Sequence, residues 1–123
     1  MKTNMIGWVE IPVLDMTRAK AFYHKVFKRE LTDGKIPGMD YWMFPWEDNA
    51  PDCGAALVKG KGYEPSTKGT IAYFNCDDLS VELGLAEKAG GTVLMPKTPM
   101  GGDMFIAMML DSEGNRIGLY SPK

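Results

Sequence analysis

Residues 6–27 read IGWVEIPVLDMTRAKAFYHKVF, and this stretch decides the fold because its plan recurs later in the chain. It begins with a strand of alternating residues, continues through an aspartate and ends in an amphipathic helix. Residues 69–91, GTIAYFNCDDLSVELGLAEKAGG, follow the same order. Aligning residues 13–16 with residues 76–79 gives an offset of 63 positions in a chain of 123 residues. The repeat predicts two related halves joined by the polar, glycine-rich segment 60–69.

Each half is predicted to contain one helix. The first helix has apolar residues at positions i, i+3, i+4, i+7 and i+8, which are Ala19, Phe22, Tyr23, Val26 and Phe27. Asp15 is its predicted N-cap. The second helix is predicted to start at Asp78 and to end at Gly90-Gly91, since glycine accepts the left-handed backbone that closes many helices.

Three short strands are predicted after each helix. In the first half they lie near residues 28–33, 39–46 and 53–59, and in the second half near residues 92–96, 103–110 and 115–120. The last two strands are separated by a turn that contains Asp111, Glu113 and Asn115. These residues are interpreted as a hairpin turn, because the spacing of a calcium-binding loop is absent. The order β-α-β-β-β thus occurs twice.

This order resembles that of the vicinal oxygen chelate superfamily, which contains glyoxalase I, bleomycin-resistance proteins and extradiol dioxygenases. The resemblance rests on the segments IPVLDMTRAKAFYHKVF, NCDDL, AGGTVLMPKT and DSEGNRIGLY. It implies an α+β fold in which two βαβββ modules, about 1–62 and 67–123, pair into a curved eight-stranded mixed sheet around a cleft. Residues 1–123 would form a single domain. The sequence also resembles the small bacterial glyoxalase-related proteins of unassigned activity.

The composition argues against several other classes of protein. The 14 Lys and Arg residues are scattered and are outnumbered by 16 Asp and Glu residues, so no basic face for nucleic acid is expected. No apolar run is long enough for a signal peptide or a membrane span. The two cysteines are not close enough to form a CxxC pair, which indicates reduced thiols. We therefore expect a cytoplasmic protein that contacts neither nucleic acid nor membrane.

Strand alternation separates two faces in each half, because neighbouring side chains point to opposite sides of a sheet. One face is plainly apolar and is predicted to pack beneath the helix, and Cys76 belongs to it as a buried thiol. The other face mixes aromatic and polar residues, as small-molecule clefts do. Its predicted ligand-binding residues are Trp8, Glu10, Ile71, Tyr73, Arg116 and Tyr120.

The resemblance also indicates where a metal ion would bind. Metal-dependent members hold a divalent ion on His and Glu side chains from four strands, and three of those positions are Trp8, Ile71 and Gly118 in this chain. The fourth strand, residues 54–59, contains no acid and no histidine. None of these side chains offers a donor to a divalent ion. The only histidine, His24, is predicted to be a solvated helix residue. No metal and no cofactor are predicted, and metal-dependent glyoxalase I activity is not expected.

Three functions remain open from the sequence, and they leave open whether the protein is an enzyme. The first is a metal-free protein that binds a small aromatic or amphipathic molecule, much as bleomycin-resistance proteins sequester drugs. The second is a metal-independent isomerase or lyase in which Glu10 is the general base, with a pKa that burial would raise. An ion pair of Glu10 with Arg116 or Lys59 is the structural alternative. The third is a non-catalytic interaction module whose cleft is closed by Trp8 and methionines.

Aromatic residues are dense in the first half of the chain. Trp42, Phe44 and Trp46 are predicted to share one strand face, as core, as a dimer interface or as a stacking wall for a flat ligand. In the second half, Arg116 is a candidate to clamp an anionic ligand. Exposed strand edges and surplus aromatic residues also predict a homodimer.

Overall fold

The computed structural model describes residues 3–123 of the chain. The first module contains β1 (Trp8–Pro12), α1 (Met16–Phe27), β2 (Thr32–Asp33), β3 (Asp40–Met43) and β4 (Gly54–Lys59). The second contains β5 (Tyr73–Asn75), α2 (Leu79–Leu85), β6 (Thr92–Pro99), β7 (Phe105–Leu110) and β8 (Arg116–Ser121). The predicted α+β class and the two βαβββ modules are confirmed. Among residues 3–123, no helix has the length and apolar character needed to span a membrane.

The eight strands hydrogen-bond as two mixed sheets of four. The strand orders are β1-β4-β3-β2 and β5-β8-β7-β6. The pairs β1–β4 and β5–β8 are parallel, and the other pairs are antiparallel. The sequence predicted the strands correctly but joined them into one sheet of eight. Each sheet packs one face against the helices, and β1 and β5 do not pair with each other. These two strands are therefore the edges of two separate sheets.

One hydrophobic core joins the two modules. The predicted stripe of α1 is confirmed, since Ala19, Phe22, Tyr23 and Val26 are at most 1% exposed. Leu57 of the first sheet and Leu119 of the second belong to the same buried cluster as these helix residues. Full burial of a large apolar side chain contributes about 1.5–3 kcal/mol. The modules are therefore held together by the same side chains that attach each sheet to its helix.

The two helices begin as predicted, but the second ends earlier. The Asp15 carboxylate accepts a hydrogen bond from the Arg18 amide at the start of α1, and the Asp78 carboxylate accepts one from the Ser80 amide at the start of α2, both at 3.0 Å. Helix α2 ends at Leu85 and not at Gly90-Gly91. The chain continues through hydrogen-bonded turns, in which the Gly91 amide donates to the Ala86 carbonyl at 2.8 Å. The paired glycines thus end the turns that follow the helix.

The hairpin turn between β7 and β8 fixes the start of α1 in the other module. One carboxylate oxygen of Glu113 accepts hydrogen bonds from the Leu14 and Asp15 amides, each at 2.8 Å. The other accepts from Arg18 Nε at 2.7 Å. The Asn115 side chain donates to the Pro12 carbonyl at 2.7 Å. The turn is present as predicted, and it also joins the two modules through polar contacts.

A second buried carboxylate organises this turn from within. Asp111 accepts hydrogen bonds from the backbone amides of Glu113 and Asn115, each at 2.9 Å. Its other oxygen accepts from the hydroxyl of Tyr23 at 2.6 Å. Burial raises the pKa of Tyr23 well above its ordinary value, and the Asp111 carboxylate raises it further. The buried carboxylate is stable there because its acceptors are satisfied by hydrogen bonds.

Candidate ligand-binding faces

Each sheet has one face that is turned away from the helices, and these two surfaces carry the predicted site. The first open face contains Trp8, Glu10, Tyr41, Met43, Ala56 and Val58, which alternation and strand register place on one side. The second open face contains Tyr73, Met108, Arg116, Gly118 and Tyr120. Because both sheets pack their other faces on the shared core, the two open faces point away from that core. One chain therefore presents two separate half-sites.

A hydrogen-bonded group of side chains lies on the first open face. Trp8 Nε1 donates to the hydroxyl of Tyr41 at 2.8 Å. Burial raises the pKa of Tyr41, and the nearby Glu10 carboxylate raises it further. Glu10 itself is exposed and, among residues 3–123, forms no ion pair with Arg116 or Lys59. Glu10 is therefore not buried within one chain, and its neighbour on this face is the Tyr41 hydroxyl.

Two indole rings cover the start of β4 on this face. The rings of Trp8 and Trp46 lie 5.7 Å apart between centroids and are tilted by 52°. A Cβ atom at Gly54 would lie 2.5 Å from the Trp46 ring and 2.7 Å from the Trp8 ring, so only glycine leaves room for both. Trp8 is 37% exposed and Trp46 is 54% exposed. The first open face therefore offers aromatic surface to a partner or a ligand.

The second open face repeats this arrangement. Tyr73 on β5 pairs with Gly118 on β8, and a Cβ atom at Gly118 would lie 2.5 Å from the Tyr73 ring. The ring is 47% exposed. Tyr120 lies two residues further along the same face and is half-buried, whereas Arg116 is exposed at the start of the strand. An aromatic ring over a glycine is thus a feature of both modules.

The structure brings the predicted site residues together in two groups. Trp8 and Glu10 lie on the first open face. Tyr73, Arg116 and Tyr120 lie on the second open face, whereas Ile71 lies before the start of β5. Sequence reasoning did not single out Tyr41, which the alternation of β3 places beside Trp8. A buried tyrosine has to find a partner for its hydroxyl, and that requirement was the available signal.

The prediction that Trp42, Phe44 and Trp46 share one face is wrong. Trp42 and Phe44 pack against the core, and the Lys20 ammonium lies 3.4 Å from the centre of the Trp42 ring. Strand β3 ends at Met43, so its alternation does not extend to Trp46. Proline does not donate to a strand ladder, and Pro45 was the sequence signal that the strand stops before Trp46.

The residues present do not fit a divalent metal ion. Glu10 pairs with Ala56 in the first sheet, and Tyr73 pairs with Gly118 in the second sheet. Ala56 is therefore the equivalent of Gly118 in the first module. Neither side chain has a donor atom, and the indole of Trp8 supplies none either. Within residues 3–123, no group of three His, Cys, Asp or Glu side chains could hold a metal. His24 lies on the exposed side of α1, where Nε2 contacts a Glu30 carboxylate oxygen at 2.9 Å.

The two cysteines are expected to differ strongly in reactivity. Burial, reinforced by the neighbouring Glu82 carboxylate, raises the pKa of the Cys76 thiol to about 12, whereas Cys53 is exposed. Because the thiolate is the reactive form, iodoacetamide at pH 8 should modify Cys53 and leave Cys76 unmodified in the native protein. Peptide mass spectrometry measures this, with denatured protein as the control in which both react. Equal modification of both cysteines in the native protein would contradict the buried position of Cys76.

The fold and the site define a family. A model of the Glyoxalase/Bleomycin resistance protein/Dioxygenase superfamily matches residues 5–119. The chain belongs to this superfamily, as the repeated modules indicated.

Several relatives illustrate the range of the family. A Mycobacterium tuberculosis protein named "Putative glyoxylase CFP32" is 27% identical over 118 residues, which are 93% of this chain but 44% of that protein. The chain thus spans less than half the length of this curated relative. A glyoxalase/bleomycin resistance protein from Albidiferax ferrireducens superposes with a TM-score of 0.74 at 15% identity, over 96% of this chain and 98% of the other. TnmS3, an antibiotic binding protein from a Streptomyces species, superposes with a TM-score of 0.72 at 25% identity, over 100% and 99% of the two chains.

Proposed function

We propose that this protein binds a small aromatic or amphipathic molecule without a metal ion, in a cleft formed between two copies of the chain. The observation that carries the proposal is the pair of exposed aromatic faces, with Trp8 and Trp46 on one and Tyr73 on the other. Aromatic rings with a few polar groups are typical of small-molecule sites. The similarity to TnmS3, which is described as an antibiotic binding protein, supports the same class of ligand.

A homodimer would complete the site. Each chain carries a first and a second open face that point away from its own core, so a two-fold axis can place the first face of one copy against the second face of the other. Such an arrangement produces two equivalent clefts, as isologous pairing requires. It would also cover aromatic surface that is exposed in one chain, including Tyr73 and Trp46.

The side chains suggest separate roles within this cleft. Trp8 and Tyr73 would stack on a flat ligand, and Ile71 and Tyr120 would extend the wall. Arg116 would pair with an anionic group of the ligand, because its guanidinium is exposed on the second open face. Glu10 would accept a hydrogen bond from the opposite side of the cleft.

The test uses 8-anilinonaphthalene-1-sulfonate, an aromatic anion whose fluorescence reports binding. We expect the wild-type protein to bind it and Trp8→Leu to bind it at least tenfold more weakly, a loss of about 1.4 kcal/mol. Trp42→Leu is the matched control, since it removes the same side chain from the core-facing side of the first sheet. Affinity is measured by fluorescence titration, and circular dichroism verifies that both variants are folded.

Native mass spectrometry of protein purified without added metal or chelator completes this test. The proposal predicts paired chains with no added mass of a divalent ion. A divalent ion that a chelator removes would contradict metal-free binding. Monomers that bind the dye as tightly as the dimer does would contradict a cleft shared by two copies. A dimer that does not bind the dye, with Trp8 fully protected from quenchers, would favour the interaction module.

A second candidate is a metal-independent isomerase or lyase, which the surroundings of Glu10 favour. The carboxylate lies beside the Tyr41 phenol, which is held by the Trp8 indole at 2.8 Å. Closing the cleft over this group would exclude water and place a carboxylate next to a bound molecule. If the protein is such an enzyme, Glu10→Gln would keep ligand binding and abolish turnover. If it is a binding protein, neither the wild type nor Glu10→Gln would turn the ligand over.

A further inference from the structure

A pocket of about 540 Å³ lies at the seam between the two modules, and its lining includes Gly54 of the first open face and Tyr73 of the second. We call it the seam pocket. It is bounded by the edge strands β1 and β5, by the end of α1 and by a side chain of α2. It exists because the two sheets pack across the helices and leave their edge strands unpaired with each other.

The inner wall of the seam pocket is apolar and aromatic. The ring of Phe74 on β5 stacks on Phe27 of α1 at 4.7 Å between centroids, and Phe44 lies 6.0 Å from Phe74. Val9 and Ile11 of β1 also line the pocket. These side chains are contributed by both modules, and they would enclose the hydrocarbon part of a small ligand.

One polar group of the pocket lacks a partner. Among residues 3–123, Glu82 Oε1 is the buried side-chain oxygen or nitrogen atom that has no hydrogen-bond partner. Its neighbour Cys76 has its thiol 3.7 Å from the Phe74 carbonyl oxygen, and the same thiol lies near the Glu82 carboxylate, to which it is a weak donor. A buried carboxylate oxygen without a donor is costly, so its presence beside a cavity calls for an explanation.

The other charged groups of the pocket do not supply the missing donor. The Lys28 ammonium donates to the Lys25 carbonyl at 2.9 Å, and Arg29 is exposed at the mouth. Asp52 accepts a hydrogen bond from the Asn75 side chain at 2.9 Å, and Asp77 is exposed. The interior thus combines an aromatic wall with one unsatisfied carboxylate oxygen.

We infer that the seam pocket is a second binding site, for a small amphipathic amine. The ammonium group would pair with Glu82, and the apolar body would lie against Phe27, Phe44 and Phe74. A primary ammonium fits because it brings a positive charge and hydrogen-bond donors to a carboxylate oxygen that lacks a partner. This site shares Tyr73 with the proposed dimer cleft, but it differs from that cleft in the carboxylate that would bind the ligand and in being formed by one chain.

The probe is 2-phenylethylamine, measured by isothermal titration calorimetry against 2-phenylethanol and 3-phenylpropionate. These molecules share a phenyl ring but carry a cationic, a neutral and an anionic end. We expect the amine to bind at least tenfold more tightly than the alcohol, and the carboxylate to bind most weakly. Glu82→Gln should weaken amine binding at least tenfold and abolish the preference for the amine. Glu87→Gln, at an exposed position just after α2, makes the same change of charge and should leave the affinity within twofold of wild type.

Two-dimensional NMR of the wild-type protein locates the amine without any substitution. Shifts confined to the amides of residues 27–29 and 74–77 support the seam pocket. Shifts of the Trp8 and Trp46 indole N–H groups without shifts of residues 74–77 would place the amine on the first open face and overturn the inference. Equal affinity for amine and alcohol, no binding at millimolar amine, or unchanged affinity in Glu82→Gln would overturn it as well. Because Tyr73 lines both sites, the dye titration is repeated with Glu82→Gln, which should bind the dye as tightly as the wild-type protein does.

Discussion

Replacing Glu113 with alanine is expected to lower the free energy of unfolding by about 3 kcal/mol, because it removes a buried, charged acceptor of several hydrogen bonds. The Glu113 side chain has no exposed surface. It receives two backbone N–H groups at the start of α1 and two nitrogen atoms of Arg18. Alanine would remove the acceptor that these donors share, and it would also release the contact between the modules.

Urea denaturation followed by circular dichroism measures this effect. Glu113→Gln keeps the shape of the side chain but removes the charge, and we expect it to lose about 2 kcal/mol. Glu87→Ala is the exposed control and should change stability by less than about 0.5 kcal/mol. A value for Glu113→Ala within about 1 kcal/mol of wild type would show that α1 is held in place without this carboxylate.

The same residue predicts how stability depends on acid. Burial alone would raise the pKa of Glu113, but hydrogen bonds from Arg18, Asp15, Ser112 and Leu14 outweigh burial and hold the pKa at about 2, against an ordinary value of 4.5. The unfolded chain therefore binds this proton more readily than the folded chain. The stabilisation is complete above about pH 5 and is lost as the pH falls from there toward 2. It is on the order of 3 kcal/mol, and Glu113→Gln should show a correspondingly flatter acid dependence.

Replacing Gly91 with alanine is expected to lower the free energy of unfolding by about 3 kcal/mol, near the upper end for overpacking. An added Cβ atom would lie 2.5 Å from the Leu110 carbonyl oxygen and 2.8 Å from the Phe22 ring. The carbonyl belongs to the backbone of β7, and Phe22 is 1% exposed in the core. Neither can move aside without disturbing the packing of α1 or the second sheet.

Gly84 provides the matched control for this prediction. It lies inside α2, and an added Cβ atom there would meet nothing within 4 Å. Because alanine favours the helix over glycine, Gly84→Ala should raise stability by about 0.5–1 kcal/mol. Thermal and urea unfolding of the two variants should therefore change in opposite directions. A loss for Gly84→Ala as large as that for Gly91→Ala would contradict the steric explanation.

The sequence was sufficient for features that depend on local pattern. The spacing of apolar residues located α1 and its buried stripe, Asp15 and Asp78 marked the two helix starts, and strand alternation separated core from open faces. These features follow from periods of 3.6 and 2 residues, which a single chain displays directly.

The sequence was insufficient wherever distant segments decide the outcome. The two-sheet arrangement depends on packing across the helices. Glu113 looked like a turn residue because its partner Arg18 is 95 positions away. Trp46 lies beyond the end of β3, so only the folded chain shows that its ring meets Trp8. The pattern identified the half-sites, but their orientation required the structure.

The contact between Tyr73 and Gly118 means that these two positions cannot vary independently. Any side chain larger than a hydrogen atom at position 118 competes for the space that the ring fills, with 2.5 Å from the added Cβ atom to the ring. A ligating carboxylate at position 118 would therefore require the exposed Tyr73 ring to turn aside or a smaller residue at position 73. The effects of substitutions at positions 73 and 118 are therefore not expected to be additive. A metal-binding carboxylate at position 118 should be tested together with a substitution at position 73.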